Sequence, residues 1–281
     1  MDSRKLTEQM IEEYREWLQI EEKEIATIEK YIRDVRTFYR FAENRAVEKT
    51  LAIAYKQHLI QEGYAISSIN SMLVAMNGIF THLGWVDCRV RTMKKQRQIY
   101  CPVNKELTRA EYLKLVATAE KEGNQRLMLI LQTLCATGIR VSELQYITVE
   151  AVLQGEAVVS CKGKIRVVFI VSQLQEKLLE YAGQQGIVEG VIFVTRNGRP
   201  VDRINIWREM KNISCKAGIH PEKVTPHSLR HLFARAFYST NKDIVKLADV
   251  LGHSSVNTTR IYVISTGDEH RQCMEELELV P

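Results

Sequence analysis

The sequence is sparing with the residues that punctuate chains. Five prolines and 14 glycines in 281 residues exclude a collagen-like, linker-rich or turn-dense all-β architecture. Long apolar runs are absent too. The most apolar stretch, Leu127 to Ala136, is short and broken by Gln132, so it does not span a bilayer. The opening Met1-Asp2-Ser3-Arg4-Lys5 runs into a polar amphipathic pattern without the apolar core of a signal peptide. A cytoplasmic protein with no membrane partner is expected. The six cysteines (Cys88, Cys101, Cys135, Cys161, Cys215, Cys273) form no C-x-x-C pair and no zinc-ribbon spacing, which points to free thiols in a reducing compartment. Charge of one sign is not in great excess either. Thirty-nine Lys and Arg against 34 Asp and Glu leave +5, compatible with a nucleic-acid partner if the positive charge gathers on one face.

What is present is helix pattern. Hydrophobic residues are 45% and charged residues 26%, the balance of a globular chain long enough for one large domain or two ordinary ones. Leu6, Met10, Ile11, Tyr14, Trp17 and Leu18 recur at three- and four-residue spacing, and Ile25, Ile28, Ile32, Val35, Phe38 and Tyr39 repeat the stripe. A third helix is predicted from about Thr50 to Gln61, ending at Gly63. Ser67 or Ser68 is the expected N-cap of a fourth carrying Ile69, Met72, Leu73, Met76, Ile79, Phe80 and Leu83. Four helices with short joints make a small bundle over 1–88.

From 89 to 106 the texture changes. Arg89, Arg91, Lys94, Lys95 and Arg97 stand with no acidic residue among them, and Pro102 follows, which reads as an exposed basic linker. A second domain is expected over 107–281. Thr108 is a natural N-cap, Arg126 to Ala136 a mostly apolar helix, and Ala157–Ser160 with Ile165–Val171 a hairpin around Lys162-Gly163-Lys164. Val191 to Val194 reads as a further short strand, and the chain after Asp202 as helices with brief breaks. The expected class is mainly α with a small antiparallel sheet in the second domain.

Three segments carry candidate chemistry. In Ala136-Thr137-Gly138-Ile139-Arg140-Val141-Ser142-Glu143-Leu144, an arginine follows a glycine break, with Glu143 three residues on to hold its guanidinium. That is either a structural ion pair or a fork for two oxygens of one phosphate. In Thr225-Pro226-His227-Ser228-Leu229-Arg230-His231, Thr225 caps a helix and Pro226 opens it. His227 and Arg230 then share one face near the helix N-terminus, where an anion is favoured. His227 and His231 also have metal-ligand spacing, but no third ligand of suitable kind lies nearby in sequence; His231 reads as a packing residue. In Leu251-Gly252-His253-Ser254-Ser255 with Thr258-Thr259-Arg260-Ile261-Tyr262, His253 falls in a joint between helices and Tyr262 two turns into the second. Alone, each of these last two is an ordinary satisfied or half-buried residue.

Taken together, Arg140, Lys162, His227, Arg230, His253 and Tyr262, in that order, resemble the active site of the tyrosine recombinases, the phage-integrase family. The tyrosine stands nine residues after the histidine. The resemblance runs along the chain and is closest to the short, two-domain, Xer-like and mobile-element members. It implies a SAM-like, four-helix core-binding domain over 1–88, a linker whose Arg89, Arg91, Lys94, Lys95 and Arg97 contact DNA, and a catalytic domain with a C-terminal docking helix. The family's hairpin lysine commonly sits in Gly-Lys-Gly, whereas here the run is Cys161-Lys162-Gly163-Lys164, so Lys164 is an alternative to Lys162.

The implied chemistry suits these side chains. Tyr262 attacks a phosphodiester to give a 3′-phosphotyrosyl bond and a 5′-hydroxyl, which conserves bond energy without ATP. Arg140, Arg230 and His253 steady the charge on phosphorus, Lys162 protonates the departing oxygen, His227 takes the phenolic proton, and Glu143 holds Arg140. Two permanent cations can stand where other phosphoryl-transfer enzymes use metal ions, so no metal and no cofactor are expected. The implied partners are double-stranded DNA gripped by both domains, a homotetramer on two DNA sites, and in some systems accessory DNA-bending proteins. Glu269 to Val280, with Met274, Leu277 and Val280 at helical spacing, is the expected docking stripe. Two rival functions share many of these residues: a type IB topoisomerase, and a DNA-binding regulator that keeps the fold without the chemistry.

Overall fold

The computed structural model describes residues 4–94, 106–161, 164–262 and 275–277. The chain divides into two compact units, Met1–Arg97 and Gln98–Pro281, each with its own apolar core. The architecture is mostly helical with one two-stranded antiparallel sheet. No helix among the described residues is long and apolar enough to cross a membrane.

The first unit is built from α1 (Glu8–Ile20), α2 (Ile25–Ala42), α3 (Lys49–Gln61) and α4 (Ile66–His82). α1 starts where the Thr7 hydroxyl accepts the Met10 N–H, and its stripe of Ile11, Tyr14 and Leu18 is buried. The centre of the unit is aromatic: Phe38 meets the rings of Tyr55 and Phe80 edge-on at 5.1 and 5.4 Å. Such pairs add about 0.5–1.5 kcal/mol each to the burial of their area. α4 begins two or three residues earlier than its serines suggest. Ala65 occupies the N-cap position without a side-chain cap, and Ser67 and Ser68 already lie inside the helix.

The segment expected to be an exposed basic linker is held by its backbone at its start. Two asparagines of α4 clamp it through paired amide bonds. Asn77 binds both N–H and C=O of Val90 at 2.9 and 2.8 Å, and Asn70 does the same to Met93 at 2.7 and 2.9 Å. Lys56 donates to the Arg91 carbonyl at 2.9 Å, and Val90 is buried. The side chains of Arg89, Arg91 and Lys94 remain exposed, while Lys95 and Arg97 lie outside the described residues.

The second unit opens with α5 (Arg109–Lys121), started by a full capping box between Thr108 and Glu111. The apolar α6 (Gln125–Thr137) packs against α5, α8, α9 and α10 and forms the spine of the core. α7 (Val149–Gln154) leads into β1 (Glu156–Cys161) and β2 (Lys164–Phe169), paired from Glu156↔Phe169 to Cys161↔Lys164. Ala157, Val159 and Val168 face the core, as the two-residue side-chain period of a strand requires. The strand expected at 191–194 does not join this sheet; it makes only isolated bridges, Thr148↔Val191 and Val194↔Pro200. Then follow α8 (Ser172–Gln184), α9 (Arg203–Lys216), α10 (Pro226–Asn241), α11 (Ile244–Leu251) and α12 (Val256–Arg260). The C-terminal end of α6, the N-terminal end of α10, strand β2 and the α11–α12 joint converge on one site. The expected docking stripe falls almost wholly outside the described residues.

Candidate active site

Gly138 sets the first corner. It ends α6 at φ +64°, and a Cβ there would stand 2.3 Å from a Phe233 ring carbon, so only glycine fits. The chain then leaves in extended form through Arg140 into a short 3-10 turn, Val141–Tyr146. Glu143 in that turn reaches back to accept the Arg140 backbone N–H at 2.7 Å and its Nη1 at 2.9 Å. A second guanidinium closes on the same carboxylate. Arg166 of β2 donates to Glu143 Oε2 at 2.6 Å and to the Val250 carbonyl at 2.9 Å. Glu143 is 1% exposed. Burial works to raise its pKa, but the Arg140 N–H and the charges of Arg166 and Arg140 win, and the carboxyl titrates below its ordinary range.

Arg230 is the opposite case. Thr225 caps α10 through its hydroxyl, Pro226 takes the first position, and Arg230 lies one turn in, 2% exposed. Its Nη1 donates to the Gly138 carbonyl; its Nη2 donates to the Leu251 carbonyl at 2.7 Å and meets His253 Nε2 at 3.1 Å. Its Nε is buried with no partner, and no described carboxylate pairs with it. Desolvation, followed by repulsion from Arg140, depresses its pKa to about 10, so it still carries its proton at neutral pH.

His253 sits in the joint that Gly252 makes possible. At φ +67°, Gly252 ends α11, and a Cβ would lie 2.3 Å from Arg166 Cδ. His253 is also held from its other side, with Nδ1 2.9 Å from the Oγ1 of the fully buried Thr259. Burial first, then Arg230 and Arg140, push its pKa down to about 4, so it is neutral at pH 7. A guanidinium only donates; the Nε2 facing Arg230 therefore accepts, and the proton resides on Nδ1, directed at Thr259.

Tyr262 closes the site from the same chain. It is 7% exposed, and three imidazoles surround its ring at centroid distances of 4.2 Å (His231), 5.4 Å (His227) and 5.4 Å (His253). His227 itself reaches the surface. The surrounding protein and the Arg230 charge lower its pKa. Next to it opens a cavity of about 410 Å³ lined by Arg140, Arg203, Trp207, Thr225, His227 and Arg230 among others. Among the described residues, Arg140, Arg166, Arg203 and Arg230 against the single carboxylate of Glu143 leave three uncompensated positive charges around this space.

Arg140, Glu143, His227, Arg230, His253 and Tyr262 are thus brought together, whereas Lys162 lies outside the described residues. Three further participants had no local signature. Arg166 stands in a β-branched run, Thr259 reads as part of a helix start, and His231 reads as packing. His227 and His231 meet each other, Nε2 to Nε2 at 3.2 Å, and no group of three metal-ligating side chains stands among the described residues.

A phenol, the buried Arg230, the half-buried Arg140 and three imidazoles thus meet on a helical scaffold with one hairpin, and the chain is a tyrosine recombinase. Residues 105–268 match the Phage integrase family, and the chain belongs to that family. Tyrosine recombinase XerA of Thermococcus kodakarensis is 29% identical over 97% of this chain and 96% of its own length. XerA of Thermococcus onnurineus is 30% identical over 97% and 96%. In fold, the chain is similar to lambda integrase, solved as a tetramer bound to a Holliday junction, with a TM-score of 0.75, 19% identity, and coverage of 93% of this chain and 78% of that one.

Proposed function

We propose that this recombinase cuts and rejoins DNA through a 3′-phosphotyrosine on Tyr262, without ATP and without a metal ion. The observation that carries the reading is Arg230, a buried cation with no carboxylate partner among the described residues, beside a buried tyrosine. Burying an unpaired charge costs several kcal/mol, on the order of what a tight anion contact returns. A phosphodiester in the adjoining cavity supplies the missing negative charge. Arg140 and Arg230 would take its nonbridging oxygens, each contact contributing about 3 kcal/mol to the transition state in a dry site.

His253 enters the chemistry in a second role. In the free protein its Nε2 accepts from Arg230, so it becomes a donor only when a phosphate draws Arg230 away and brings a proton to Nε2. Negative charge at phosphorus favours that proton. Glu143 holds Arg140 in line. His227 receives the phenolic proton, and Lys162, with Lys164 as its alternative, protonates the 5′-oxygen. Residues 1–88 serve as the core-binding domain and 107–281 as the catalytic domain. Between them, Arg89, Arg91, Lys94, Lys95 and Arg97 of the basic segment 89–106 meet the phosphate backbone. Four copies act on two DNA sites in the cytoplasm, with accessory DNA-bending proteins where the site demands them.

A nicked suicide substrate tests the reading. Wild-type protein is expected to form an SDS-resistant adduct, and Tyr262→Phe to bind the same DNA with unchanged Kd yet form none. Adduct formation by the Phe variant assigns the nucleophile elsewhere. Efficient plasmid relaxation by the wild type without joining of two sites transfers it to the topoisomerase class.

A further inference from the structure

We propose that His231 is a positioning residue. It accepts the Nε2–H of His227, and so leaves the other nitrogen of His227 open for the proton of Tyr262. The inference rests on the reading of His227 and Tyr262 given above. It starts from the geometry of three rings. His231 lies one helical turn beyond His227 on α10, edge-on to it with centroids 4.6 Å apart and Nε2 atoms at 3.2 Å. The other side of the His231 ring lies against Tyr262 at 4.2 Å, tilted by 33°.

Two imidazole nitrogens at hydrogen-bond distance share one hydrogen. Burial, then the neighbouring His227, push the His231 pKa down to about 4, so His231 brings no extra proton at neutral pH. If His231 donated, the single lone pair of a neutral His227 would be occupied and its Nδ1 already protonated, leaving nothing to accept from the phenol. The opposite arrangement is the productive one: His227 donates from Nε2, and its Nδ1 is open. During attack the Tyr262 O–H bond breaks and its proton passes to His227 Nδ1. The phenolic oxygen bonds to phosphorus while the P–O5′ bond breaks, and the departing oxygen takes its proton from the hairpin lysine. The imidazolium formed at His227 is stabilised by the lone pair of His231, a neutral counterpart of the carboxylate that orients other catalytic histidines. The charged or titratable groups around the pair are Arg230 on the same helix, Arg140 after α6, Arg203 at the head of α9, His253 in the α11–α12 joint and Tyr262.

The experiment measures single-turnover adduct formation on the nicked substrate, at saturating DNA, as a function of pH. His231→Leu is expected to lower the plateau rate about 10- to 100-fold, the usual span for an orienting partner. DNA affinity should not change. The acid limb should move to lower pH, because His227 without its acceptor is a weaker base. His231→Gln, whose amide oxygen can reach the Nε2 position, should restore most of the rate and the wild-type limb. If the Leu variant does not fold, as judged by melting and DNA binding, His231→Asn takes its place, since its shorter amide falls near Nδ1 instead. Equal loss in the acceptor-free and Gln variants with an unmoved limb overturns the proposal in favour of plain packing, and so does no loss in either. Tyr262→Phe and His227→Ala run alongside. An adduct from the first, or an unimpaired second, defeats the parent reading, whatever the His231 variants do.

Discussion

Glu143 and Arg230 are buried almost equally, at 1% and 2% exposure, in the same unit, yet they are treated in opposite ways. Glu143 has two guanidiniums and a backbone N–H on its two oxygens. Arg230 has carbonyls, one imidazole and an unpartnered Nε, but no carboxylate among the described residues. The first pattern is how a fold makes a charge serve as a structural tie: Glu143 joins the turn after α6 to β2, and Arg166 continues the tie to the end of α11. The second pattern is a charge held in place and left unsatisfied for a ligand. Buried charge alone does not mark a site; the missing counter-charge does.

The contrast breaks most sharply at Arg230. Replacing it with methionine, which fills similar space without charge, should lower adduct formation by about 10³-fold, the usual scale for losing a main electrostatic contact to a transition state. Stability should stay within about 1 kcal/mol of wild type, because two freed carbonyls offset the relief of an unpaired buried cation. A large fall in Tm with this variant would mean that Arg230 is a structural tie like Glu143.

Glu143→Gln should show the reverse balance. Removing the carboxylate strands Arg166 and part of Arg140, and breaking a buried pair in this way costs about 3–5 kcal/mol. Chemical denaturation at pH 7 measures that loss. The pH dependence has a definite sign. The folded pKa of Glu143 lies below its ordinary value of 4.5. Its stabilisation is therefore complete above about pH 4.5 and is lost as the pH falls through the lower folded value. The Gln variant should lack this component of acid destabilisation, so the two stability curves converge as the solution is acidified. Parallel curves would show that Glu143 is not the tie.

The same contrast explains what could be read from the chain alone. The cap at Thr225-Pro226, the pairing of Arg140 with Glu143 and the break at Gly252 are local, written within a few residues, and the structure has them in place. Arg166 was not legible because its partners are 23 and 84 residues away, and nothing in a strand of alternating apolar residues announces them. His231 was read as packing because its neighbours Tyr262 and His227 meet only when α10 and the segment after α12 come together. The start of the basic segment shows the same limit. The side chains of Arg89, Arg91 and Lys94 are exposed, but the backbone at Val90 and Met93 is bound by Asn77 and Asn70, residues of another element. Sequence patterns report the face a residue presents, and not the distant amide that holds its main chain.

The smallest effect offers the finest test, because it reads the charge deficit without any DNA chemistry. An anion that fills the place of the scissile phosphate should stabilise the fold by RT ln(1 + [L]/Kd), about 1.4 kcal/mol when sulfate is at ten times its Kd. Sulfate also stabilises proteins generally by exclusion from their surfaces, so the quantity to measure is the difference in Tm gain between wild type and Arg230→Met. That difference should grow as the pH falls from 7 towards 5. His253 has its folded pKa near 4 because Arg230 and Arg140 repel its charged form as burial does. An anion between them raises that value, so binding takes up a proton and tightens in acid. His253→Gln should keep the sulfate effect and weaken its pH dependence, the remainder belonging to His227, whose pKa burial and Arg230 also lower. A sulfate gain identical in wild type and Arg230→Met at every pH would place the uncompensated charge outside this pocket, and with it the site at which Tyr262 is expected to act.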